Sequence, residues 1–339
     1  MATFTAGVVG VDFDILDLGP LAFAAISGAT PTSIGLTVAG VSTQLFGSGF
    51  SFAAGGPPTA GAIGRIIVGA DVGTIYDIAG LNQSAAQFRG WVLAGDSASA
   101  KAGLFFGDDM FTGSNLADRL RGYAGADTMV GGGGDDFLDG GDGDDMVFGG
   151  LGNDTIVDPG GSNYLRGDEG DDVIVGGAGF DDINGNMGDD TLEGGPGDDW
   201  VVGGKDEDRL SGGAGNDLVY GNLGDDTCDG GAGNDTVRGG QGNDILAGGA
   251  GDDFISGDRG DDTMTGGGGA DIFHSSSDAG IDRVLDFSVA QGDRVQLDPG
   301  TTYTVIQDGA DTVIQMSEGQ VVLVGVSMTS LLGSSIFVG

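Results

Sequence analysis

The sequence predicts an all-β chain organised around a parallel β-roll, and three observations predict it. From position 109 to position 271 an aspartate returns every nine residues with no insertion or deletion, nineteen positions in all, with Asn163 standing in once. Two residues after each of them stands an apolar side chain, from Phe111, Leu120 and Met129 to Met264 and Phe273, and none of these is polar. Glycines crowd the residues before each aspartate, so the unit reads G-G-x-G-x-D-x-U-x with U apolar, as in residues 131–139. The expected architecture is a β-rich N-terminal domain ending in short helices over residues 1–103, the roll over residues 104–274, and a β-strand C-terminal cap over residues 275–339.

In residues 1–80, Val9, Val11, Phe13 and Ile15 alternate with Asp12 and Asp14, and Ile34, Leu36 and Val38 alternate with small residues. Runs at Leu45-Phe46, Ile63 to Val68 and Ile75 to Ile78 follow, separated by clusters such as Gly55-Gly56-Pro57-Pro58. Alternation between turn signals predicts strands. From residue 82 the period changes. Phe88, Trp91 and Val92 share one helical face, Asn82 or Ser84 can cap it, and Asp96 can cap a second short helix through Ala102. That helical piece is expected to cover the open end of the roll, because an uncovered solenoid end invites pairing with other chains.

Within the repeats, the six residues G-G-x-G-x-D are expected to form a turn, with glycine permitting positive φ and close backbone approach. The three residues x-U-x allow one short strand with U facing inward. A nine-residue unit cannot bury its apolar residue alone, so units must stack, two to a coil of eighteen residues. Turns then form two columns, unit n on unit n+2, gathering carboxylates and turn carbonyls. An oxygen-only, carboxylate-rich site suits a hard cation such as Ca²⁺ far better than zinc or copper.

These repeats resemble the RTX (haemolysin-type calcium-binding repeat) family of type I secreted bacterial proteins. The resemblance implies Ca²⁺ between turns n and n+2, so nineteen units offer at most about 17 sites. It makes metal ligands of Asp109, Asp118, Asp127, Asp136, Asp145, Asp154, Asn163, Asp172, Asp181, Asp190, Asp199, Asp208, Asp217, Asp226, Asp235, Asp244, Asp253, Asp262 and Asp271. Some units depart from the pattern. Leu116 and Asp206 replace a turn glycine, Asp158-Pro159 replaces a glycine pair, and Asn163 replaces a ligand.

Residues 275–339 leave the nine-residue register. Gly280-Ile281-Asp282-Arg283-Val284-Leu285-Asp286-Phe287, then Asp293 to Leu297, resembles the segment that follows the roll in serralysin-type proteins. Asp308-Gly309 before Thr312-Val313-Ile314 predicts a hairpin, and Val321 to Val326 another strand. The C-terminus, in such proteins, addresses a type I secretion system. The segment Phe46 to Phe52, followed by Pro58-Thr59-Ala60-Gly61, resembles an N-terminal block of calcium-binding proteins of proteobacteria.

Charge is concentrated in the repeats. Of a formal −40, residues 1–103 hold −3, residues 104–274 hold −31 and residues 275–339 hold −6. Such density repels itself into disorder without a counter-ion, so metal binding and folding should be one event. Nucleic acid and anionic membranes are poor partners for so acidic a chain. The opening residues carry no Sec-type leader pattern, and no run is long and apolar enough for a transmembrane helix. The single cysteine, Cys228, occupies a U position and reads as a small buried hydrophobe.

Nothing points to catalysis. With one histidine, His274, neither H-E-x-x-H nor a multi-histidine zinc site is possible. No G-x-S-x-G elbow occurs, and turn glycines make any phosphate-loop match uninformative. His274 is expected on the surface at the roll's exit, Lys205 and Arg209 as internal counter-charges, and Trp200 as an exposed contact. The expected function is a non-enzymatic, secreted, extracellular calcium-binding structural protein that self-assembles, as in a surface layer, matrix fibre or adhesin. The alternatives are a polysaccharide-binding or accessory module of an extracellular enzyme, or a monomeric calcium-binding protein. Its partners would be calcium, itself or a cell surface, and the type I secretion machinery.

Overall fold

The computed structural model describes the backbone of residues 3–6, 25–30, 33–38, 41–52, 58–70, 73–84, 107–276, 280–331, 333 and 335–339, and side chains from residue 107 onward. The chain divides into two compact units, Met1–Asp158 and Pro159–Gly339. Both carry the parallel β-roll.

In the first unit, β1 (Thr3–Ala6), β2 (Ala25–Thr30), β3 (Ser33–Val38), β4 (Val41–Phe52), β5 (Pro58–Ala70) and β6 (Gly73–Ser84) precede the repeats. Strands β2 to β6 form antiparallel neighbours in chain order. Strand β1 pairs antiparallel with β6, and on its other edge parallel with β7 (Met110–Thr112), in the register Thr3↔Met110, Phe4↔Phe111, Thr5↔Thr112. The edge of the first repeat strand is therefore covered by a strand from the beginning of the chain. Asn82 and Ser84, the expected helix caps, belong to β6. The helices expected beyond them, up to residue 103, lie outside the described residues, as does the expected alternating strand at Val9 to Ile15.

In both units the repeat strands alternate between two parallel sheets, and each pairs with the strand eighteen residues away. In the second unit one sheet contains Asn163–Glu169, Asp181–Met187, Trp200–Lys205, Leu218–Leu223, Thr236–Gln241, Phe254–Arg259 and Ile272–Ser275. The other contains Val173–Val175, Thr191–Pro196, Arg209–Ala214, Thr227–Ala232, Ile245–Ala250 and Thr263–Gly268. Most of these strands are six residues long, not the three expected. The glycine pair continues the ladder, as in Gly213↔Gly231, because a glycine backbone adds hydrogen bonds to the coil below without a side chain to place.

All nineteen U residues are buried, none more than 4% exposed. They form a core two side chains thick, with Val201, Val219, Val237, Ile255 and Phe273 in register along one sheet and Leu192, Leu210, Cys228, Leu246 and Met264 along the other. Burying each such aliphatic side chain contributes about 1.5–3 kcal/mol. Cys228 is core, as expected, and burial holds its thiol well above its ordinary pKa.

The core outlasts the repeats. Ile281–Val284 and Arg294–Leu297 add one further strand to each sheet and bring in Val284, Val295 and Leu297, all fully buried. The expected hairpin is present, with Thr304–Asp308 and Asp311–Gln315 joined at Gly309, whose φ is 61°. Strand Gln320–Leu323 lies between Asp311–Gln315 and Ile281–Val284, and Ile336–Val338 pairs with Arg294–Leu297. Among the described residues no helix is long and apolar enough to cross a membrane.

Candidate metal columns

Most repeat aspartates are fixed by one of their own oxygens. The Oδ1 of residue i accepts the backbone N–H of residue i−18, one coil earlier. Asp199 N donates to Asp217 Oδ1 at 2.8 Å, Asp217 N to Asp235 at 2.8 Å, and Asp235 N to Asp253 at 2.9 Å. The other column repeats this from Asp172 N to Asp190 Oδ1 (2.8 Å) through Asp244 N to Asp262 Oδ1 (2.8 Å). In the first unit Asp109, Asp118, Asp127 and Asp136 donate in turn to Asp127, Asp136, Asp145 and Asp154. The strict nine-residue spacing thus acts through an eighteen-residue hydrogen bond.

The second oxygen points into a sealed space. Oδ2 of Asp127, Asp136, Asp181, Asp190, Asp199, Asp208, Asp217, Asp226, Asp235, Asp244, Asp253 and Asp262 is buried and accepts no hydrogen bond. The glycine cradle shows what surrounds it. A methyl group built on Gly212 would lie 2.5 Å from Asp217 Oδ2 and 2.6 Å from Gly230 O. On Gly194 it would lie 2.7 Å from Asp199 Oδ2 and 2.6 Å from Gly212 O, and on Gly230 it would meet Asp235 Oδ2 and Gly248 O at 2.6 Å each. A carboxylate oxygen of turn n and a carbonyl oxygen of turn n+2 therefore converge beside a glycine that leaves them room. A buried orphan oxygen costs free energy unless something compensates it. Oxygen-only donors with negative charge fit Ca²⁺, which takes several carboxylate and carbonyl oxygens. Among the described residues no three His, Cys, Asp or Glu side chains converge on one point, so backbone carbonyls must complete each site.

Electrostatics agree with that fit. Burial, and secondarily the neighbouring carboxylates, push the Asp181, Asp190 and Asp244 carboxyls up to about 7 and Asp208 to about 8, against the lowering effect of the backbone N–H. Asp199, Asp217 and Asp253 rise to about 6, again mainly through burial. A carboxyl whose folded pKa lies above its unfolded value destabilises the fold as pH rises above that unfolded value. At neutral pH the bare columns therefore oppose folding, and a cation among them reverses the sign.

The structure places all nineteen sequence-predicted ligands in these columns, each buried. Their surroundings differ. Asp118 Oδ2 accepts from Ser114 N (2.6 Å) and Ser114 Oγ (2.9 Å), so the irregular unit around Leu116 satisfies its own carboxylate. Asn163 keeps its place, donating its N–H to Asp181 Oδ1 at 3.0 Å, but carries no charge. Asp158 is buried where other coils have the first turn glycine, and its carboxylate reaches the space beside Gly140 that Asp145 Oδ2 also faces. Asp206 takes the turn glycine's left-handed conformation, φ 76°.

A second ladder was missed by reasoning from the sequence. Where the residue before a column position is Asp or Asn, its side chain can accept from the next coil at the surface: Asn216 N donates to Asp198 Oδ1 (2.7 Å), Asn234 N to Asn216 Oδ1 (3.0 Å) and Asp252 N to Asn234 Oδ1 (2.7 Å). The Asp-Asp and Asn-Asp doublets were its signal, since either side chain offers the acceptor oxygen this bond needs. His274 also departs from expectation. It is half-buried against the C-terminal cap, with Nε2 3.2 Å from Asp298 Oδ1, Nδ1 3.1 Å from Ser256 Oγ, and its ring stacked on Phe254. Trp200 is exposed as expected, at 49%. Ion pairs of the roll include Arg121–Asp139, Arg166–Asp182 and Arg238–Asp258, and none among the described residues involves Lys205 or Arg209.

The cradle gives a direct test. Gly230→Ala is expected to cost about 1–3 kcal/mol by overpacking and to remove bound calcium, measured as the calcium midpoint of folding and the ion content of the folded chain. Unchanged values would mean that the space beside Gly230 holds no ion.

Comparison with known proteins gives the same result. The sequence profile of the RTX calcium-binding nonapeptide repeat (4 copies) matches residues 105–138, 121–156, 148–183, 160–192, 175–210, 184–219, 202–237 and 238–273. No curated protein matches the chain. Among solved structures, the extracellular lipase LipA from Serratia marcescens is similar at 20% identity and a TM-score of 0.27, over 53% of this chain and 40% of that one. The AlgE6R3 subunit of the Azotobacter vinelandii mannuronan C5-epimerase is similar at 28% identity and a TM-score of 0.24, over 39% of this chain and 78% of that one. The chain thus spans less than half the lipase's length. With its nonapeptides matched from residue 105 to residue 273, the chain belongs to the RTX family of calcium-binding repeat proteins.

Proposed function

We propose that this chain is a secreted, non-enzymatic extracellular protein that folds on Ca²⁺, through the nineteen column residues, and then assembles with copies of itself. The observation that carries the reading is the pair of columns of buried, open carboxylate oxygens. A chain built this way is opposed in folding where calcium is scarce and driven to fold where it is plentiful, near roughly 10⁻⁴–10⁻³ M for extracellular modules. Export through a type I system in the unfolded state fits that chemistry. Assembly is supported by the nearly uncharged N-terminal segment and by large apolar side chains exposed on the roll, including Trp200, Leu223 and Ile245.

The test is a calcium titration of the full chain by circular dichroism and light scattering. Gain of β structure followed by growth into large particles is the expected result. Folding without growth at any calcium concentration would sink the assembly part, and export in cells lacking a type I exporter would sink the secretion part.

A second reading, a polysaccharide-binding module, is favoured by one feature of the second unit. A groove of about 590 Å³ in its first sheet is lined by Asn186, Lys205, Asn222, Gln241, Asp258 and Arg259, among others. Rows of amides with two cations suit a hydroxyl-rich, anionic chain. On this reading Lys205→Glu together with Arg259→Glu is expected to weaken retention on immobilised polyuronate. Absence of any retention of the parent chain would dismiss it.

A further inference from the structure

The columns do not stop where the nonapeptides stop. Arg283 N donates to Asp262 O at 2.8 Å, as Thr263 N does to Asp244 O one coil earlier. The register Thr263↔Arg283 and Met264↔Val284 therefore sets Asp282 in the position of the next column residue, twenty residues on instead of eighteen. Asp282 is fully buried. Its Oδ2 accepts the Ser275 hydroxyl at 2.8 Å, and Ser275 stands where earlier coils have the first turn glycine. Its Oδ1 is buried and has no hydrogen-bond partner, and the same holds for Oδ2 of Asp262. Asp262 Oδ1 is already committed to Asp244 N.

The other column ends differently. Asp293 follows Asp271 by twenty-two residues, and both its oxygens are satisfied, Oδ1 by Asp271 N at 3.2 Å and Oδ2 by Ser288 N at 2.7 Å. One column is closed by hydrogen bonds, and the other ends on two sealed carboxylates with an open oxygen each. Among the described residues no side-chain cation is paired with either of them. Arg283 follows Asp282 directly but is exposed, because strand neighbours face opposite sides. Two adjacent buried carboxylates need a positive partner or a shared proton. The donors present are carboxylate oxygens and a hydroxyl, which a hard divalent cation accepts and a soft metal does not.

We propose that Asp262 and Asp282, the latter oriented by Ser275, form a terminal Ca²⁺ site outside the nonapeptide repeats that locks the C-terminal cap onto the last coil. This rests on the calcium reading of the repeats and extends it to a residue no repeat contains. The site has leverage over the cap because strand Ile281–Val284 pairs on one side with the roll and on the other with Gln320–Leu323, in the register Asp282↔Val321. Holding Asp282 against Asp262 fixes that strand, and through it the hairpin beyond.

The experiment is hydrogen exchange by mass spectrometry across a calcium titration, on the full chain and on its Asp282→Asn and Ser275→Ala variants. In the parent chain, protection of peptides from 281–297 and 311–323 should rise with calcium. In D282N the midpoint for those peptides should move to about tenfold higher calcium or more, while peptides from 199–250 keep theirs. S275A should shift the same peptides in the same direction by less. A purely structural role for Asp282 would instead leave those peptides under-protected even at saturating calcium with their midpoint in place, and that result overturns the proposal. So does an unchanged midpoint in D282N, the outcome expected if the two carboxyls share a proton. If calcium protects no peptide of the parent chain, the reading of the repeats fails as well, and the 199–250 peptides distinguish the two failures.

Discussion

Chelating calcium from the full chain is expected to remove most of its β structure. The loss would be read by circular dichroism and be reversible on adding calcium back. Two described features make this the largest effect available. Buried oxygens along both columns accept no hydrogen bond, and burial holds their carboxyls as high as about 8 at Asp208. Each ionised carboxylate then costs folding free energy at neutral pH, and the core offsetting that cost is only two side chains thick. Because binding and folding are linked, the midpoint should move with calcium concentration. A roll that keeps its β signal in chelator would refute calcium-coupled folding.

Phe273→Ala is expected to be the most damaging single core substitution, at about 3–5 kcal/mol, measured by denaturant unfolding of the calcium-loaded chain. Phe273 is 1% exposed, among the largest fully buried side chains, and packs on Phe287 of the cap with ring centroids 6.1 Å apart. It pairs in register with Ile255 on one side and Val295 on the other. Truncation would open a cavity at the junction of roll and cap, between Ile255, Val295 and Phe287. Trp200→Ala, on the exposed face, is expected to stay within about 0.5 kcal/mol. Similar losses for both would mean that the core does not carry the stability of the roll.

The roll was legible because a stacked coil converts sequence period directly into spatial position. The spacing from Asp109 to Asp271 places both the ligand oxygens and the U residues without knowledge of long-range contacts. Four features were not legible, each for a physical reason. Asp282 and Asp293 join the columns through offsets of twenty and twenty-two residues, so a search at nine passes over them. The pairing of Thr3–Ala6 with Met110–Thr112 joins segments about a hundred residues apart, and no local pattern records such a contact. The length of the strands was underestimated because glycine reads as a turn residue, whereas here the glycine pair lies in the ladder and only the last glycine turns the chain. His274 was taken for a surface residue because Asp298, twenty-four residues on in the cap, lies outside the repeat register, although Ser256 stands one eighteen-residue coil earlier.

The irregular spacing of the last coil has a consequence for how the chain finds its alignment. A perfectly periodic ladder is nearly degenerate: sliding one strand past another by eighteen residues recreates most of its hydrogen bonds and buries the same kind of side chain. The repeats alone would offer many misaligned stacks of similar energy, each a trap on the way to the native one. Asp282 and Asp293 fit at one position only, because Ser275 and Ser288 meet them there and nowhere else along the ladder. The cap therefore works as a phase reference, giving one alignment of the otherwise interchangeable coils the lowest energy.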